Sequence, residues 1–375
     1  MPDNRVTARA AIATGDADQP FEIDEIELDD IRPDELLVRM VATGICHADI
    51  SAATGVIPFD LPGVLGHEGV GVVEAVGAKV DTANVGDKVL LSFTSCGRCR
   101  HCRSGHPAYC ESHLRLNLLG GRRDDGSATV RYKGADISAH FFGQSSFGER
   151  AVVDEKSVYV LPPNTTEEEM AILAPLGCGM LTGAGAVLNV LRPNHGSTIA
   201  IAGAGAVGMA AIMAMKFTPA AQVIAIDIID SRLELARDLG ATATINAAKE
   251  DVQQRLLELT DGEGITHGLE TSGNVTALQA LVESLAVAGE LALIGAPPAG
   301  SRGSFEVQKH LPGKVIRGIT MGDAEPQSFI ATLIDAYRKG LFPMDRLQRH
   351  YKFDDIRTAI ADAKSGVAIK PVLVY

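Results

Sequence analysis

The spacing of apolar positions changes along the chain, and the change predicts two kinds of structure. In the first half, short apolar stretches alternate with polar residues between glycines, as in ELLVRMVATG, GVGVVEAVG, GDKVLLSF and FGERAVVD. Alternation of this kind between turn residues predicts β-strands. We therefore expect residues 1–175 to be rich in β-structure, with one long surface loop at about 111–145 that contains RRDDGS.

From residue 197 onwards, short apolar strands alternate with helical segments. STIAIA and QVIAID predict strands on either side of an apolar helix, and TATIN, ITHGLET, ELALIG and KVIRGI continue the series. The helix in DSRLELARDLG has Leu233, Ala236 and Leu239 on one face and ends at Gly240. Strands that alternate with helices predict a doubly wound parallel sheet. Further helices are expected at about 250–260, 274–288, 325–339 and 353–364, before a last strand in KPVLVY.

Composition narrows the class of protein. A chain of 375 residues exceeds what one hydrophobic core usually serves, so two domains are expected. The net charge of −13 argues against nucleic-acid binding, which needs a basic face. The sequence has no apolar run long enough for a transmembrane helix, and MPDNRVTARA lacks the apolar core of a signal peptide. We therefore expect a cytoplasmic protein with reduced cysteines.

Four of the six cysteines lie close together in CGRCRHCRSGHPAYC, residues 96–110. The spacing C-x2-C-x2-C-x7-C is typical of a structural zinc site, because the thiolates of Cys96, Cys99, Cys102 and Cys110 fill all four tetrahedral positions. A cysteine-rich loop without metal is the alternative. A DNA-reading zinc finger is disfavoured, because the segment lacks the histidine pair that such a finger carries on its helix.

A second, more dispersed set of residues indicates a metal site with an open position. Cys46 in GICHADIS, His67 in GHEG and Cys178 in PLGCGM would provide two thiolates and one imidazole, leaving the fourth zinc position free for water or substrate. Asp49 could accept the second ring proton of His67 and fix its tautomer. Alternatively, Cys178 is a small core residue. His47 by itself is more typical of the surface than of a ligand.

A glycine-rich turn follows the first strand of the second half. Gly203, Gly205 and Gly208 give G-x-G-x-x-G at the start of a helix, and Asp227 ends the next strand, 24 residues after Gly203. In this context the motif predicts a dinucleotide site, with the pyrophosphate at the helix N-terminus. The Asp227 carboxylate could accept both ribose hydroxyls and would repel a 2′-phosphate, which favours NAD over NADP. A flavodoxin-like sheet without nucleotide is the alternative.

Taken together, these motifs resemble those of the medium-chain, zinc-dependent alcohol dehydrogenases. The resemblance covers nearly the whole chain: GICHAD, GHEGVGVVEAVG, the four-cysteine segment, PLGCGM, GAGAVG with Asp227, and GVAIKPVL. FFGQSSFGE and GICH are most similar to the aryl (benzyl-type) and terpenoid members. The resemblance implies an α/β fold, with a GroES-like β-rich catalytic domain at 1–178 and 323–375. A Rossmann NAD-binding domain with a doubly wound parallel sheet would occupy 179–322.

The resemblance also assigns roles to individual residues. Cys46, His67 and Cys178 would bind a catalytic zinc, with Glu68 as an intermittent ligand and Asp49 as the partner of His67. Residues that would contact NAD are His47, Thr182, Gly203, Gly205, Val207, Gly208, Asp227, Arg232 and Lys370. The resemblance implies two zinc ions per chain, NAD as cofactor, and a homodimer, with a tetramer as the alternative.

Position 48 departs from the family pattern. The family usually has a serine or threonine there to take the proton from a zinc-bound alcohol, and this chain has Ala48. Ser51 stands where a histidine is common. Three interpretations are open: water handed on through Ser51 or His47 replaces the relay, the substrate needs no relay, as in reduction of an activated double bond or iminium, or activity is weak or lost.

The leading hypothesis is an NAD-linked oxidoreductase that interconverts primary aromatic or allylic alcohols and their aldehydes. Zinc lowers the pKa of the alcohol, and hydride then passes to the nicotinamide C4. Ile57, Phe93 and Leu116 lie in segments expected to line the pocket and favour an apolar substrate. The alternatives are a non-catalytic zinc- and nucleotide-binding protein, and glutathione-linked formaldehyde oxidation, which would need a basic anion pocket.

Overall fold

The computed structural model describes residues 6–16 and 20–375. The strands in these ranges are β1 (Thr7–Ala13), β2 (Phe21–Leu28), β3 (Glu35–Gly44), β4 (Gly63–Val64), β5 (Gly69–Val76), β6 (Lys88–Leu91), β7 (Val130–Tyr132), β8 (Ala135–Ile137), β9 (Arg150–Asp154), β10 (Val158–Val160), β11 (Thr198–Ala202), β12 (Gln222–Asp227), β13 (Ala243–Asn246), β14 (Ile265–Glu270), β15 (Leu285–Leu293), β16 (Val315–Gly318), β17 (Gln348–Lys352) and β18 (Lys370–Val374).

Helices connect or flank these strands. The α-helices are α1 (His47–Ala53), α2 (Arg100–Arg103), α3 (His113–Asn117), α4 (Glu167–Leu173), α5 (Gly179–Gly185), α6 (Ala206–Ala214), α7 (Asp230–Leu239), α8 (Val252–Leu259), α9 (Val275–Glu283), α10 (Val307–His310), α11 (Pro326–Arg338) and α12 (Ile356–Ser365). Short 3₁₀ turns cover Pro107–Tyr109, Phe141–Gly143, Glu155–Ser157, Ala174–Gly177, Met215–Phe217, Met321–Asp323, Met344–Leu347 and Phe353–Asp355, and a π-helical turn covers Ala186–Leu191.

The chain forms two compact units. The first contains the residues up to 178 together with 325–334 and 345–375, and the second contains 179–324 and 335–344. The predicted domain bounds, 1–178 with 323–375 and 179–322, stay predictions. The functional roles of the two stretches stay predictions.

The first unit is built on two sheets of mainly antiparallel strands. One sheet has the order β4-β1-β2-β7-β8, and the other has β10-β6-β5-β3-β18-β17, with β9 paired to β3. Side chains on alternate positions of β3 pack inward, among them Leu36, Val38 and Met40, which are fully buried with Val73 and Val89. Burial therefore alternates along the strand from Leu36 to Met40, whereas the rest of β3 is buried at every position, and the predicted β-rich region is confirmed.

The second unit has a parallel sheet with the order β13-β12-β11-β14-β15-β16. Its central strands are apolar on both faces, as expected for strands that helices cover on both sides. Leu233, Ala236 and Leu239 of α7 are buried, and Gly240 ends that helix with a φ of 134°. The predicted doubly wound sheet is confirmed.

The expectation of a long surface loop at 111–145 is wrong. This segment contains α3, β7 and β8, and the side chain of Arg123 is buried. The Arg123 guanidinium donates to both carboxylate oxygens of Glu35, at 2.7 and 2.8 Å, and to Asp29. A charged run that looked solvated in the sequence therefore carries a buried ion pair, because its partners come from a distant segment.

Two general expectations can be compared with the described ranges. None of the six cysteines forms a disulfide. Within residues 6–16 and 20–375, no single helix is long and apolar enough to cross a membrane. The two bent helical segments Glu167–Gly177 and Gly179–Leu191 meet these criteria only when they are counted together.

Candidate active site

The first unit brings together four potential metal ligands from three separate segments. Cys46 is the N-cap of α1, His67 and Glu68 precede β5, and Cys178 follows the 3₁₀ turn Ala174–Gly177. One ligand atom from each of the four residues lies within 4.8 Å of the others. We call these four residues the mixed cluster. The sequence predicted all four of them.

Asp49 holds the ring of His67 in one orientation. Its Oδ1 lies 2.9 Å from His67 Nδ1 and also accepts the backbone N–H of Gly66, while its Oδ2 accepts the N–H of Cys46. A carboxylate at Nδ1 keeps the ring proton there and leaves Nε2 with a free lone pair. His67 Nε2 is buried and has no hydrogen-bond partner among the described residues. Burial alone would lower the pKa of His67, but the Asp49 charge raises it well above the usual value, so a metal that binds at Nε2 must displace the proton of that nitrogen.

The two cysteines of the mixed cluster act on each other. A hydrogen bond from the Cys178 side chain lowers the pKa of the Cys46 thiol well below its usual range, and His67 and Lys370 act in the same direction. The thiolate is the form of cysteine that binds metal. The donor set of two thiolates and one imidazole, with an unpartnered Nε2 beside them, fits zinc and leaves one coordination position for a further ligand.

Glu68 forms an ion pair with Lys370, a residue that the family resemblance assigned to the NAD site. Lys370 Nζ donates to both carboxylate oxygens of Glu68, at 2.9 and 2.8 Å, and to the carbonyl of Ile45. Burial raises the pKa of Glu68, and the Lys370 charge partly offsets this effect. With Glu68 engaged by Lys370, the side chains of Cys46, His67 and Cys178 are the three candidates for primary ligands. The NAD contact expected of Lys370 stays a prediction, and its partners here are Glu68 and Ile45.

Two aromatic rings cover His67. The ring of Phe142 stacks on the imidazole, with centroids 4.5 Å apart, and Phe141 meets it edge-on at 5.3 Å. Phe59 packs against Phe141 in turn. The sequence did not predict these contacts, because FFGQSSFGE and His67 lie more than seventy residues apart and no local spacing links them. Phe141 and Phe142 thus make the surroundings of His67 aromatic; Phe93 is also buried, and the pocket-lining role expected of it stays a prediction.

The residues considered for a proton relay lie on α1 and differ in exposure. His47 is exposed, whereas Ala48 and Ser51 are partly buried. Ala48 carries no polar side-chain atom. The relay through Ser51 or His47, and the NAD contact of His47, stay predictions.

The four-cysteine segment forms a second cluster, in which one sulfur of each cysteine lies within 4.8 Å of the others. We call Cys96, Cys99, Cys102 and Cys110 the four-cysteine cluster. Backbone N–H groups of the same loop point at its sulfurs, as in Cys99 N to Cys96 Sγ at 3.3 Å and Ser112 N to Cys110 Sγ at 3.4 Å. Backbone donors from Cys102 and Glu111 lower the pKa of Cys99 to about 6. Four sulfurs complete a tetrahedron and leave no open position.

The glycine-rich turn of the second unit has space for a phosphate. A Cβ at Gly203 would meet Thr271 Oγ1 at 2.7 Å, and one at Gly208 would meet the Gly203 carbonyl at 1.8 Å, so both positions require glycine. Gly205, the N-cap of α6, has nothing within 4 Å of its Cβ position. The backbone of Val207 packs closely against Gly183. The turn is therefore tight on its inner side and open at the helix N-terminus.

The remaining predicted cofactor residues of this unit lie on different elements. Asp227 ends β12, and its carboxylate accepts the N–H groups of Ala204, Ile228 and Ile229, which fixes it beside the glycine turn. Arg232 lies on α7, where its Nε is buried without a hydrogen-bond partner in the described part of the chain. Thr182 is buried on α5. Their contacts with NAD stay predictions.

Comparison with known proteins assigns the chain to a protein family. Residues 32–163 match the family described as alcohol dehydrogenase GroES-like domain, and residues 206–338 match zinc-binding dehydrogenase. The chain is 38% identical over 371 residues to geraniol dehydrogenase of Castellaniella defragrans, covering 99% of this chain and 98% of that protein. The chain belongs to the medium-chain zinc-dependent alcohol dehydrogenases. This membership confirms the predicted family, the predicted fold class and the prediction of an oxidoreductase.

Two solved structures are similar over the full length. The alcohol dehydrogenase zinc-binding domain protein from Burkholderia ambifaria is 42% identical, with a TM-score of 0.94 and 99% of each chain covered. Benzyl alcohol dehydrogenase from Acinetobacter calcoaceticus is 38% identical, with a TM-score of 0.93 over 98% of this chain and 99% of that chain.

Proposed function

We propose that the protein is an NAD-linked dehydrogenase of primary aromatic or allylic alcohols and that it also reduces their aldehydes. The observation that carries this proposal is the buried mixed cluster, in which the free Nε2 of His67 faces two cysteine sulfurs. The named substrates of its relatives, geraniol and benzyl alcohol, are an allylic and an aromatic alcohol. The aromatic wall formed by Phe141 and Phe142 suits such substrates.

The residues of the mixed cluster would divide the work as follows. A zinc ion held by Cys46, His67 and Cys178 would supply the Lewis-acid chemistry that activates an alcohol oxygen. Asp49 would keep His67 Nε2 aimed at the metal, and the Lys370 ion pair would hold Glu68 close enough to serve as an intermittent ligand. A second zinc would be held by the four-cysteine cluster, so that each chain carries two.

NAD rather than NADP is the proposed cofactor because of the charge at Asp227. Its carboxylate is held beside the glycine turn by three backbone N–H groups, where it would accept ribose hydroxyls. A 2′-phosphate in the same place would face a fixed negative charge. The open space above Gly205 would take the pyrophosphate.

One observation favours a second candidate function. Ala48 offers no hydroxyl to receive a proton, and reduction of an activated double bond or an iminium would not need that hydroxyl. For alcohol oxidation, water passing along Ser51 or His47 would take its place at some loss of rate, because a positioned proton acceptor is typically worth about 10² to 10⁴-fold.

We also propose that two copies associate through the outer edge of the parallel sheet in the second unit. β16 ends the order of strands described there, and all four of its residues are exposed, including Val315 and Ile316. Leu311, four residues before β16, and Val287, on the neighbouring strand β15, are also exposed apolar residues. An uncovered edge with apolar side chains is a site for pairing. Light scattering should give the mass of a dimer for the native chain and of a monomer for Ile316→Lys, whereas a tetramer or a native monomer would overturn this assignment.

The activity is tested by the initial rate of NADH formation on protein shown to carry two zincs. Benzyl alcohol and geraniol are offered as substrates, each with NAD and with NADP, and the near-ultraviolet absorbance is followed. We expect turnover with both alcohols and a clear preference for NAD. Absence of turnover with both zincs bound, together with reduction of an activated alkene or iminium by NADH, would replace the alcohol dehydrogenase proposal by the second candidate.

A further inference from the structure

The segment Gln144–Phe147 runs beside Val64–Gly69 and is hydrogen-bonded to it at successive positions. Ser145 Oγ donates to the Val64 carbonyl, Phe147 N to Leu65 and Ser146 N to Gly66. The side chain of Gln144 continues this series to the residue that carries the metal-facing imidazole. His67 is thus held along its backbone as well as at its ring.

Gln144 is fully buried, and each polar atom of its amide has a partner. Oε1 accepts the N–H of Gly69 at 3.1 Å, and Nε2 donates to the carbonyls of His67, at 3.1 Å, and Ser92, at 2.9 Å. The orientation of the amide follows from these partners, because one side faces an N–H and the other faces two carbonyls. One side chain therefore joins the backbone around His67 to the backbone just after β6.

Ser92 extends this connection to the other side of the mixed cluster. Its hydroxyl donates to the Gly177 carbonyl at 2.7 Å, and Gly177 is the residue before Cys178. A Cβ at Gly177 would lie 2.2 Å from the Leu91 carbonyl, so the turn that carries Cys178 is packed directly on the end of β6. A continuous path of hydrogen bonds runs from His67 through Gln144 and Ser92 to Gly177.

We propose that Gln144 is a positioning residue that sets the distance between His67 and Cys178 and so holds the metal of the mixed cluster. Its amide bonds only to backbone groups and is not one of the candidate ligands of the mixed cluster. A leucine at 144 would fill similar space but leave the Gly69 N–H and the carbonyls of His67 and Ser92 unpaired in the interior. The two ligand segments would then relax to satisfy those groups, and the metal would be held less tightly. The inference rests on the metal binding proposed above.

The test compares zinc release from Gln144→Leu, the wild-type chain and a matched control. Gln348→Leu is the control, because the Gln348 amide also donates to a backbone carbonyl of the first unit, that of Ile172, but lies outside both clusters. Zinc release to a chromogenic chelator is timed, and alkylation mapping assigns each release phase to the mixed or the four-cysteine cluster. Loss of support around a metal ligand typically costs about 10 to 100-fold in affinity. We expect release from the mixed cluster at least about tenfold faster in Gln144→Leu, with the four-cysteine phase unchanged and Gln348→Leu like wild type.

A second readout separates positioning from general stability. With Co²⁺ in the mixed cluster, the visible absorption bands report ligand geometry, and they should shift in Gln144→Leu but not in Gln348→Leu. Wild-type release and spectra in Gln144→Leu, or equal acceleration at both clusters, would overturn the proposal. If Gln144→Leu does not fold, Gln144→Glu decides, because it keeps the size of the side chain and the acceptor for the Gly69 N–H but loses the amide donor to the carbonyls of His67 and Ser92; faster release from the mixed cluster alone would support the proposal and wild-type release would overturn it. A wild-type chain with zinc only in the four-cysteine cluster would overturn the proposed function together with this inference, whereas the other contrary results overturn this inference alone.

Discussion

The two cysteine-bearing clusters of the first unit are assembled in opposite ways. The four-cysteine cluster comes from one stretch, residues 96–110, and its sulfurs receive backbone N–H groups of that stretch. The mixed cluster takes its ligands from three distant segments, and other side chains hold them: Asp49, on the same segment as Cys46, holds His67, Lys370 holds Glu68, and Gln144 holds the backbone.

The difference in assembly matches a difference in chemistry. Four thiolates on a short loop satisfy a metal completely and brace the loop. Three ligands fixed by the packing of a whole unit can keep a fourth position open in a dry, shaped environment, which metal-ion catalysis requires. The comparison teaches that local spacing suffices for a structural site, whereas an open site needs the tertiary fold.

The largest effect should follow from breaking the mixed cluster. Cys178→Ser replaces a soft thiolate by a hydroxyl, which is a poor zinc ligand, and it should reduce zinc from two ions per chain to one. Because a metal contributes several kcal/mol of transition-state stabilisation, kcat/KM for benzyl alcohol should fall about 10³-fold or more. Metal analysis and initial rates measure both quantities. Near-wild-type turnover in a variant whose mixed cluster holds no zinc would show that this cluster is not needed for catalysis.

The substitution Asp49→Asn should weaken zinc binding in the mixed cluster without abolishing it. The amide keeps the shape of Asp49 but loses the charge that orients His67, so zinc affinity of the mixed cluster should fall about 10 to 100-fold. Competition with a chelator of known affinity measures the change, and the four-cysteine cluster of the same chain is the internal control. Equal weakening of both clusters would show that Asp49 supports the fold in general.

Restoring a hydroxyl beside the mixed cluster should raise activity. In Ala48→Thr the side chain could accept the proton of a bound alcohol, and kcat should increase by about tenfold, a part of the 10² to 10⁴-fold that such a group can supply. The matched variant Ala48→Val has similar bulk without the hydroxyl and should give no increase. An unchanged kcat in Ala48→Thr, with zinc and NAD bound as in wild type, would mean that proton transfer does not limit the rate.

The smallest effect on catalysis is expected from the four-cysteine cluster. Cys99→Ser should lose that zinc and lower Tm by about 5 °C, because a structural metal contributes folding free energy. The initial kcat at low temperature should stay close to wild type. Thermal unfolding measures the change in Tm, and initial rates measure kcat. A large loss of kcat at low temperature would contradict the assignment of a structural role to the four-cysteine cluster and a catalytic role to the mixed cluster.

The sequence could predict whatever depends on near neighbours along the chain. The spacing of Cys96 to Cys110, the glycine turn before α6 and the burial of Leu233, Ala236 and Leu239 all follow from local pattern, and the structure has them. The mixed cluster could be found only through its motifs and the family resemblance, because no spacing links Cys46 with Cys178.

Contacts between distant segments were not predictable in the same way. Arg123 lies in a run of charges typical of a surface loop, and only the fold places it against Glu35 and Asp29. The stacking of Phe142 on His67 depends on a positive φ of 54° at Phe142, which few non-glycine residues adopt. The pairing of Lys370 with Glu68 joins residues that are 302 positions apart in the chain.

The most direct test of the central claim is to follow activity while metal is removed from the native chain. Zinc is withdrawn by a chelator in steps. At each step the zinc content, the alkylation of Cys46 and Cys178 against that of the four-cysteine cluster, and the initial rate of NADH formation from benzyl alcohol are measured. We predict that the rate falls in proportion to the emptying of the mixed cluster, reaches zero when that cluster is empty, and returns when zinc is restored. A rate that persists with the mixed cluster empty, or that follows only the four-cysteine cluster, would contradict the account.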